Sequence, residues 1–309
     1  MEFKHISVLL QESIDSLNIK PDGIYVDCTA GGGGHSAAIL SHLNEKGRMV
    51  LIDQDPDAIQ VLTERFKRDD RVKIVKSNFS AVDTILCELG IKGVDGIVAD
   101  LGVSSHQLDT AERGFSFHYD APLDMRMSQQ GRSAYDVVNT YSSRELYTII
   151  SRYGEEKFAD RVANAIVKAR EIEPVKTTLE LAEIVSNAIP AKFRRNGHPA
   201  RKTFQAIRIE VNGELDVLKN TLPLMFKNLN DGGVLSVITF HSLEDKIVKD
   251  YFRTLKEGCT CPKDFPVCVC GKKPKATVKS SGVKASGKEL DENNRSRSAK
   301  LRTAIKLGE

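Results

Sequence analysis

The run Val26-Asp27-Cys28-Thr29-Ala30-Gly31-Gly32-Gly33-Gly34-His35 sets a carboxylate at the end of an apolar stretch and four consecutive glycines directly behind it. Glycine loses more backbone freedom on folding than any other residue, so such a run makes sense where the chain turns tightly and brings its amides against a ligand. The residues that follow, Ser36 to Leu43, read as a helix whose N-terminal amides face that ligand. Gly32-x-Gly34-x-x-Ala37 also satisfies the relaxed dinucleotide fingerprint, a weak pattern alone. Asp27 speaks against it. A carboxylate at the end of the first strand repels a pyrophosphate but attracts a ligand carrying an ammonium and a sulfonium, as S-adenosylmethionine does. Asp53 lies about twenty residues past the glycines, where a carboxylate accepts both hydroxyls of an adenosine ribose. The neighbouring Asp55-Pro56 reads as the start of the next helix.

Other residues offer chemistry with less specific patterns. Phe79 sits just past the third strand, where ligands of open α/β sheets bind; it stacks on adenine or packs in the core. His241 follows a later strand and faces the pocket or serves the helix start beside it. Cys259-x-Cys261-x6-Cys268-x-Cys270 gathers four of six cysteines, which suggests a structural zinc site or a set of thiols on a short hairpin. Cys28 and Cys87 read as packing.

Stepping from these residues to the elements that carry them, strand-like runs at Ile24 to Asp27, Arg48 to Asp53, Val72 to Lys76 and Val94 to Asp100 alternate with helical segments at Asp57 to Lys67 and Ala81 to Leu89. That alternation predicts a parallel sheet with right-handed crossovers. The next convincing strand, Gly233 to Phe240, begins more than 130 residues later, so a segment is inserted. Within it, Ser142-x-x-Glu145 and Thr177-x-x-Glu180 are capping boxes, and Phe158, Val162, Ala165, Ile166 and Ala169 have helical spacing. The expected organisation is a discontinuous sheet domain, 1–108 with 209–309, and a helical subdomain at 109–208. Ser242-x-x-Asp245 caps a helix to about Lys256, Lys300 to Leu307 is a final strand, and Lys272 to Ser298 reads as a mobile loop or arm.

The 309 residues carry a formal net charge of only +3, but the charge is uneven. Gly271 to Lys306 holds eleven Lys or Arg against three acids, and Ala191 to Ile209 holds six and no acid. Two basic stretches point to a polyanion, or to ordinary solvated lysines. No apolar run is long enough to span a membrane and Met1 to His5 lacks a signal-peptide core, so the expectation is a cytoplasmic protein without a membrane partner. Oligomeric state is not legible.

With Asp27, the glycines, Asp53, Asn78-Phe79 and Asp100 after successive strands, the chain looks like an α/β, class I S-adenosylmethionine-dependent methyltransferase, Rossmann-like with a mostly parallel sheet. Longer segments resemble the RsmH (MraW) family: His5 to Leu10, Thr29 to His35, Asp100 to Leu108, Glu112 to Phe117, Pro122 to Met127, Phe204 to Arg208 and Phe240 to Asp245. The resemblance spans the chain. It implies a bacterial enzyme that methylates N4 of cytosine 1402 in the decoding region of 16S ribosomal RNA within the small subunit, with an inserted helical domain for substrate recognition.

Carried over, the resemblance puts Gly33, Gly34 and His35 at the methionine end of the cofactor, Asp53 on the ribose, Phe79 beside the adenine, and Asp100 and Gln107 completing the pocket. Attack by a cytosine amine on a methyl group is mainly a positioning problem, and some group must accept the amine's N–H bonds. Many amino-methyltransferases use an Asx-Pro-Pro-aromatic sequence after the fourth strand. This chain has Asp100-Leu101-Gly102-Val103-Ser104, which keeps the acid, a catalytic candidate, and lacks the prolines and the aromatic. Phe115 or Phe117 supplies the missing plate or merely packs; His198, Arg201 and Lys202 are candidates for RNA contact. Two other classes compete: an NAD-dependent oxidoreductase, which Asp27 opposes, and a non-catalytic nucleic-acid-binding protein with a vestigial cofactor fold.

Overall fold

The computed structural model describes residues 7–194, 197–258, 261, 265–267, 269–279 and 281–308. Seven strands form one sheet: β1 (Ile24–Asp27), β2 (Arg48–Asp53), β3 (Val72–Lys76), β4 (Val94–Asp100), β5 (Leu229–Thr239), β6 (Ala276–Val278) and β7 (Lys300–Lys306), in the order β3-β2-β1-β4-β5-β7-β6. The first five run parallel, and β7 pairs antiparallel with β5 and with β6. The central strands are apolar on both sides because both faces are covered: Val26, Val50, Ile52, Ile97 and Val237 pack one way, Tyr25, Met49, Leu51, Val98 and Val234 the other. The chain builds outward from β1 through β2 to β3, then returns to lay β4 on the other side of β1. The order therefore reverses between β1 and β4, and such sheets bind ligands beyond the strand ends at that point.

The chain divides into two compact units, 1–102 with 215–309, and 103–214. The second is wider than the expected 109–208 at both ends. Val103 and Leu108 pack on its core, and the helix Arg201–Asn212 runs past Arg208 so that the Asn212 side chain accepts from the Met127 amide (2.9 Å) and donates to the Met125 carbonyl (2.8 Å). Its other main helices are Ala134–Thr140, Ser143–Gly154, Ala159–Ile172 and Thr178–Ala188. The capping boxes at Ser142 and Thr177 form as read: each hydroxyl accepts from the amide three residues on, and Glu145 and Glu180 reach back to the cap amides (2.7 and 3.0 Å).

Three readings need correction. The helix behind the glycines starts at Gly34, not Ser36, and ends at Leu40. The helix Ser242–Lys256 is capped by His241 with Glu244, not by Ser242 with Asp245, whose carboxylate instead holds Lys300 (3.0 Å) and Arg302 (2.6 Å) on β7. The segment 272–298 is not one loop, since its described part contains β6, the helix Gly287–Glu292 and a 3-10 turn, Asn294–Ser298.

Gly154 ends its helix against Arg201–Asn212 so closely that a Cβ there would lie 2.6 Å from the Lys202 carbonyl oxygen. Gly154→Ala is expected to lower folding stability by about 1–3 kcal/mol through overpacking, read as a lower denaturant midpoint for the helical unit. An unchanged midpoint would show that the two helices separate freely.

Candidate active site

The strand ends at the reversal carry three carboxyl groups, Asp27 on β1, Asp53 on β2 and Asp100 on β4. The glycine turn is tied to them. Asp53 accepts from the Gly31 amide (2.7 Å) with one oxygen and from the Asp55 amide (2.8 Å) with the other. Each oxygen keeps a further lone pair, which suits the two hydroxyls of a ribose. Gly31 and Gly33 hold φ of 50° and 76°, and a Cβ on Gly33 would come within 2.8 Å of the Phe66 ring. Gly33 caps the following helix from that left-handed conformation, and a Cβ on Gly34 would collide with the Ser7 hydroxyl.

Asp27 is 2 % exposed; it accepts from the Ser36 hydroxyl (2.6 Å) and the Thr29 amide (3.2 Å). Burial outweighs those bonds and pushes its carboxyl up to about 6, and burial likewise pushes Asp53 up to about 6. Asp100 is raised well above the ordinary carboxylate range by burial, then by the charges of Asp27 and Glu244. Its Oδ1 is buried without a hydrogen-bond partner, while its amide donates to the Thr29 hydroxyl (2.6 Å). His35 lies across from it, Nδ1 to Oδ2 3.9 Å, too far for a hydrogen bond. The His35 Nε2 donates to the Val8 carbonyl (3.1 Å), which leaves Nδ1 bare, and burial lowers the ring to about 4. At neutral pH His35 therefore brings no charge to balance the acids. The charges acting on Asp53 and Asp100 are those of other acids, and an orphaned carboxyl oxygen sits among them; a cationic ligand fits this environment and a pyrophosphate does not.

Phe79 opens a 3-10 turn after β3 and is half-buried against the core. Asn78 before it accepts from the Ser80 amide (2.9 Å) and donates to Gln54 (2.9 Å), which braces the turn against the end of β2. Three contributors escape a reading of the sequence. Ser36 is hidden as an ordinary helix serine, Gln54 as a residue between two acids, and Glu244 as a helix-start glutamate. Glu244 is 2 % exposed and accepts from the amides of Phe240 (2.7 Å) and His241 (3.2 Å). Its place three residues after His241 was the available signal. His241 accepts from the Glu244 amide through Nδ1 (3.4 Å), the local role open to it in the sequence.

Gly33, Gly34, His35, Asp53, Phe79 and Asp100 thus belong to the sheet unit, at or just past the C-terminal ends of its strands. Gln107 belongs to the helical unit, where its carbonyl accepts from the Ser104 amide (3.0 Å) as half of a capping box. Phe115 is buried in that unit's core beneath the Arg113 guanidinium. His198 and Arg201 are exposed there, and the exposed Lys202 spends its ammonium on the Glu155 carbonyl (2.8 Å). Of the cysteine cluster, Cys259 and Cys268 lie outside the described residues, while Cys261 and Cys270 are half-buried. Among the described residues no group of three or more His, Cys, Asp or Glu is arranged for a metal.

A carboxyl raised above its unfolded value keeps its proton longer in the folded chain, so its share of stability falls as pH rises through the window from about 4 to 6. Asp27→Asn keeps an acceptor for the Thr29 amide, makes the Ser36 hydroxyl an acceptor instead of a donor, and removes the titration. Between about pH 4 and pH 7.5 the stability of the variant relative to the parent is expected to grow by about 2–3 kcal/mol, in denaturant titrations without cofactor. A difference that does not change with pH would refute the raised carboxyl.

The chain is 56 % identical over 309 residues, 99 % of its length and all of the relative's, to a protein of Clostridium botulinum (strain Kyoto / Type A2) named ribosomal RNA small subunit methyltransferase H. A relative of the same name from the Okra strain is 55 % identical over the same span. An rRNA methylase structure from Streptococcus thermophilus is similar with a TM-score of 0.44 and 10 % identity, covering 98 % of this chain and 99 % of that one. The MraW methylase family matches residues 2–307, and with that match over nearly its whole length the chain belongs to the MraW methylase family, as a class I S-adenosylmethionine-dependent methyltransferase.

Proposed function

We propose that this protein transfers a methyl group from S-adenosylmethionine to the exocyclic N4 of a cytosine in the decoding region of 16S ribosomal RNA. The observation that carries this reading is the buried, unpartnered Oδ1 of Asp100 at the end of β4, beside Asp27. S-adenosylmethionine supplies an electrophilic methyl on a sulfonium. Around it, Asp53 accepts the ribose hydroxyls, Phe79 covers the adenine, and Gly33, Gly34 and His35 line the methionine end. Asp27 and Asp100 face the positive charge, which draws Asp100 into its ionised form. As a carboxylate Asp100 then accepts an N–H of the cytosine amine, holds its lone pair toward the methyl, and takes up the proton the amine sheds. Its raised proton affinity suits that last step. A hydride-transferring oxidoreductase would set a pyrophosphate against these acids.

The base and atom rest on the family and on the name its relatives carry. The helical unit is assigned to recognition of the RNA, with His198, Arg201 and Lys202 on the RNA side; the basic segment from Lys272 to Lys306 adds phosphate contacts. A cytoplasmic protein working on the small subunit is the setting this implies. A structural zinc on Cys259, Cys261, Cys268 and Cys270 belongs to the same proposal. Purified protein is then expected to hold close to one equivalent and Cys261→Ser to lose it, and metal-free protein prepared without chelator would exclude it.

Small subunits lacking the modification, incubated with labelled S-adenosylmethionine, are expected to acquire label on the cytosine amine, mapped by nuclease digestion. Label on a ring carbon, a ribose or a protein would refute the assignment. Asp53→Ala is expected to weaken cofactor binding about tenfold to a hundredfold by calorimetry, since bonds to a charged group contribute about 1.5–3 kcal/mol. Asp100→Ala is expected to abolish product while RNA binding persists.

A further inference from the structure

The helical unit carries an aromatic ladder that the chemistry of methyl transfer does not use. Phe204 is anchored in the core. Phe117, half-buried, meets it edge-on at 5.4 Å and 85°, and His198 lies flat on Phe117 at 4.3 Å and 14°. His118 stands edge-on to His198 at 6.2 Å. Phe117 backs the His198 ring on one face, yet His198 as a residue is exposed, as are His118 and Tyr119, the last 56 % so.

His198 is also fixed in place. Its Nδ1 accepts from the Ala200 amide (3.3 Å) and its carbonyl accepts from the Arg201 amide (3.1 Å). With Nδ1 accepting, the ring hydrogen is on Nε2, the neutral tautomer. Burial, His118 and the Arg201 charge all hold its proton affinity below the usual histidine range. A neutral ring makes a poor phosphate ligand. It makes a good stacking plate, because a rigid backed ring loses little freedom when a second ring covers it. A cation beside it is Arg201, whose guanidinium lies near Gly197 and whose charge acts on the ring. A neutral aromatic plate next to an exposed guanidinium matches an unpaired nucleotide, base on ring and phosphate on cation; in a duplex the base faces are already stacked.

We propose that His198, backed by Phe117, is a stacking plate for one unpaired base of the RNA substrate, with Arg201 on an adjoining phosphate. This rests on the RNA methyltransferase reading and gives His198 a different task from a phosphate contact.

The test uses the full chain and a fluorescent probe, an unpaired oligoribonucleotide carrying one 2-aminopurine, compared with the same strand annealed to its complement. The unpaired strand is expected to bind more tightly and to quench on binding. His198→Ala is expected to weaken it about fivefold to a hundredfold with an unchanged salt dependence, and His198→Phe to stay within about twofold of the parent. Arg201→Ala is expected to weaken binding with a shallower salt dependence. The stacking role is overturned if His198→Ala binds like the parent, if the Phe and Ala variants are equally weak, or if the parent prefers the duplex or binds neither strand. Each of those outcomes leaves the methyltransferase reading standing as long as small subunits still take label; if they take none, that reading falls as well.

Discussion

The gathering of buried Asp27 with half-buried Asp53 and Asp100 at the ends of neighbouring strands is the constraint on which the remainder of the site depends. Ionised carboxylates are costly to remove from water unless paired, and here the nearest charges are other acids. The fold makes this tolerable by two means. Asp27 and Asp53 are given hydroxyl and amide donors, and the proton affinity of Asp100 rises. The unfavourable part of that arrangement is what a bound cation would relieve.

The glycine turn follows from the same constraint. Gly31 donates to Asp53 from a positive φ that a side chain would strain, and Gly33 turns the chain into a helix from a left-handed conformation in which a Cβ would meet the Phe66 ring. The turn therefore does two jobs at once: it satisfies a carboxylate and shapes the floor of a ligand site. The reversal of strand order between β1 and β4 opens the space beyond it.

Much of this was legible because the relevant signals are local. β1, β2 and β4 are apolar runs ending on an aspartate, so burial on both faces marks their limits, and Asp55, Ser142 and Thr177 announce helices through bonds made within three residues. What escaped is non-local or ambiguous. Nothing in the sequence ties Ser36 to Asp27, or Glu244 to the field at Asp100, because each meets its partner only after the sheet has formed. The true cap at His241 lost to Ser242 because serine has the stronger intrinsic preference, which the backbone-bound Glu244 overrides. The segment 272–298 looked unstructured by composition, yet Ala276–Val278 pairs with β7 and so takes its order from a strand outside the segment.

Charge of opposite sign is gathered at two particular places, one in each unit. The sheet unit gathers acids at its strand ends, whereas the helical unit exposes Arg201 beside stacked aromatics in a stretch, 191–209, that holds no acid at all. On the proposed function, the acids would repel a phosphate from the cofactor, and the guanidinium would attract one at the RNA face. For a reaction that needs a cationic methyl donor and a polyphosphate substrate on one enzyme, keeping the two electrostatic environments in separately folded cores lets each be tuned alone. On the proposed function, a change in the carboxyls would alter cofactor affinity and proton uptake, while a change at the exposed aromatic face would alter how the RNA is held.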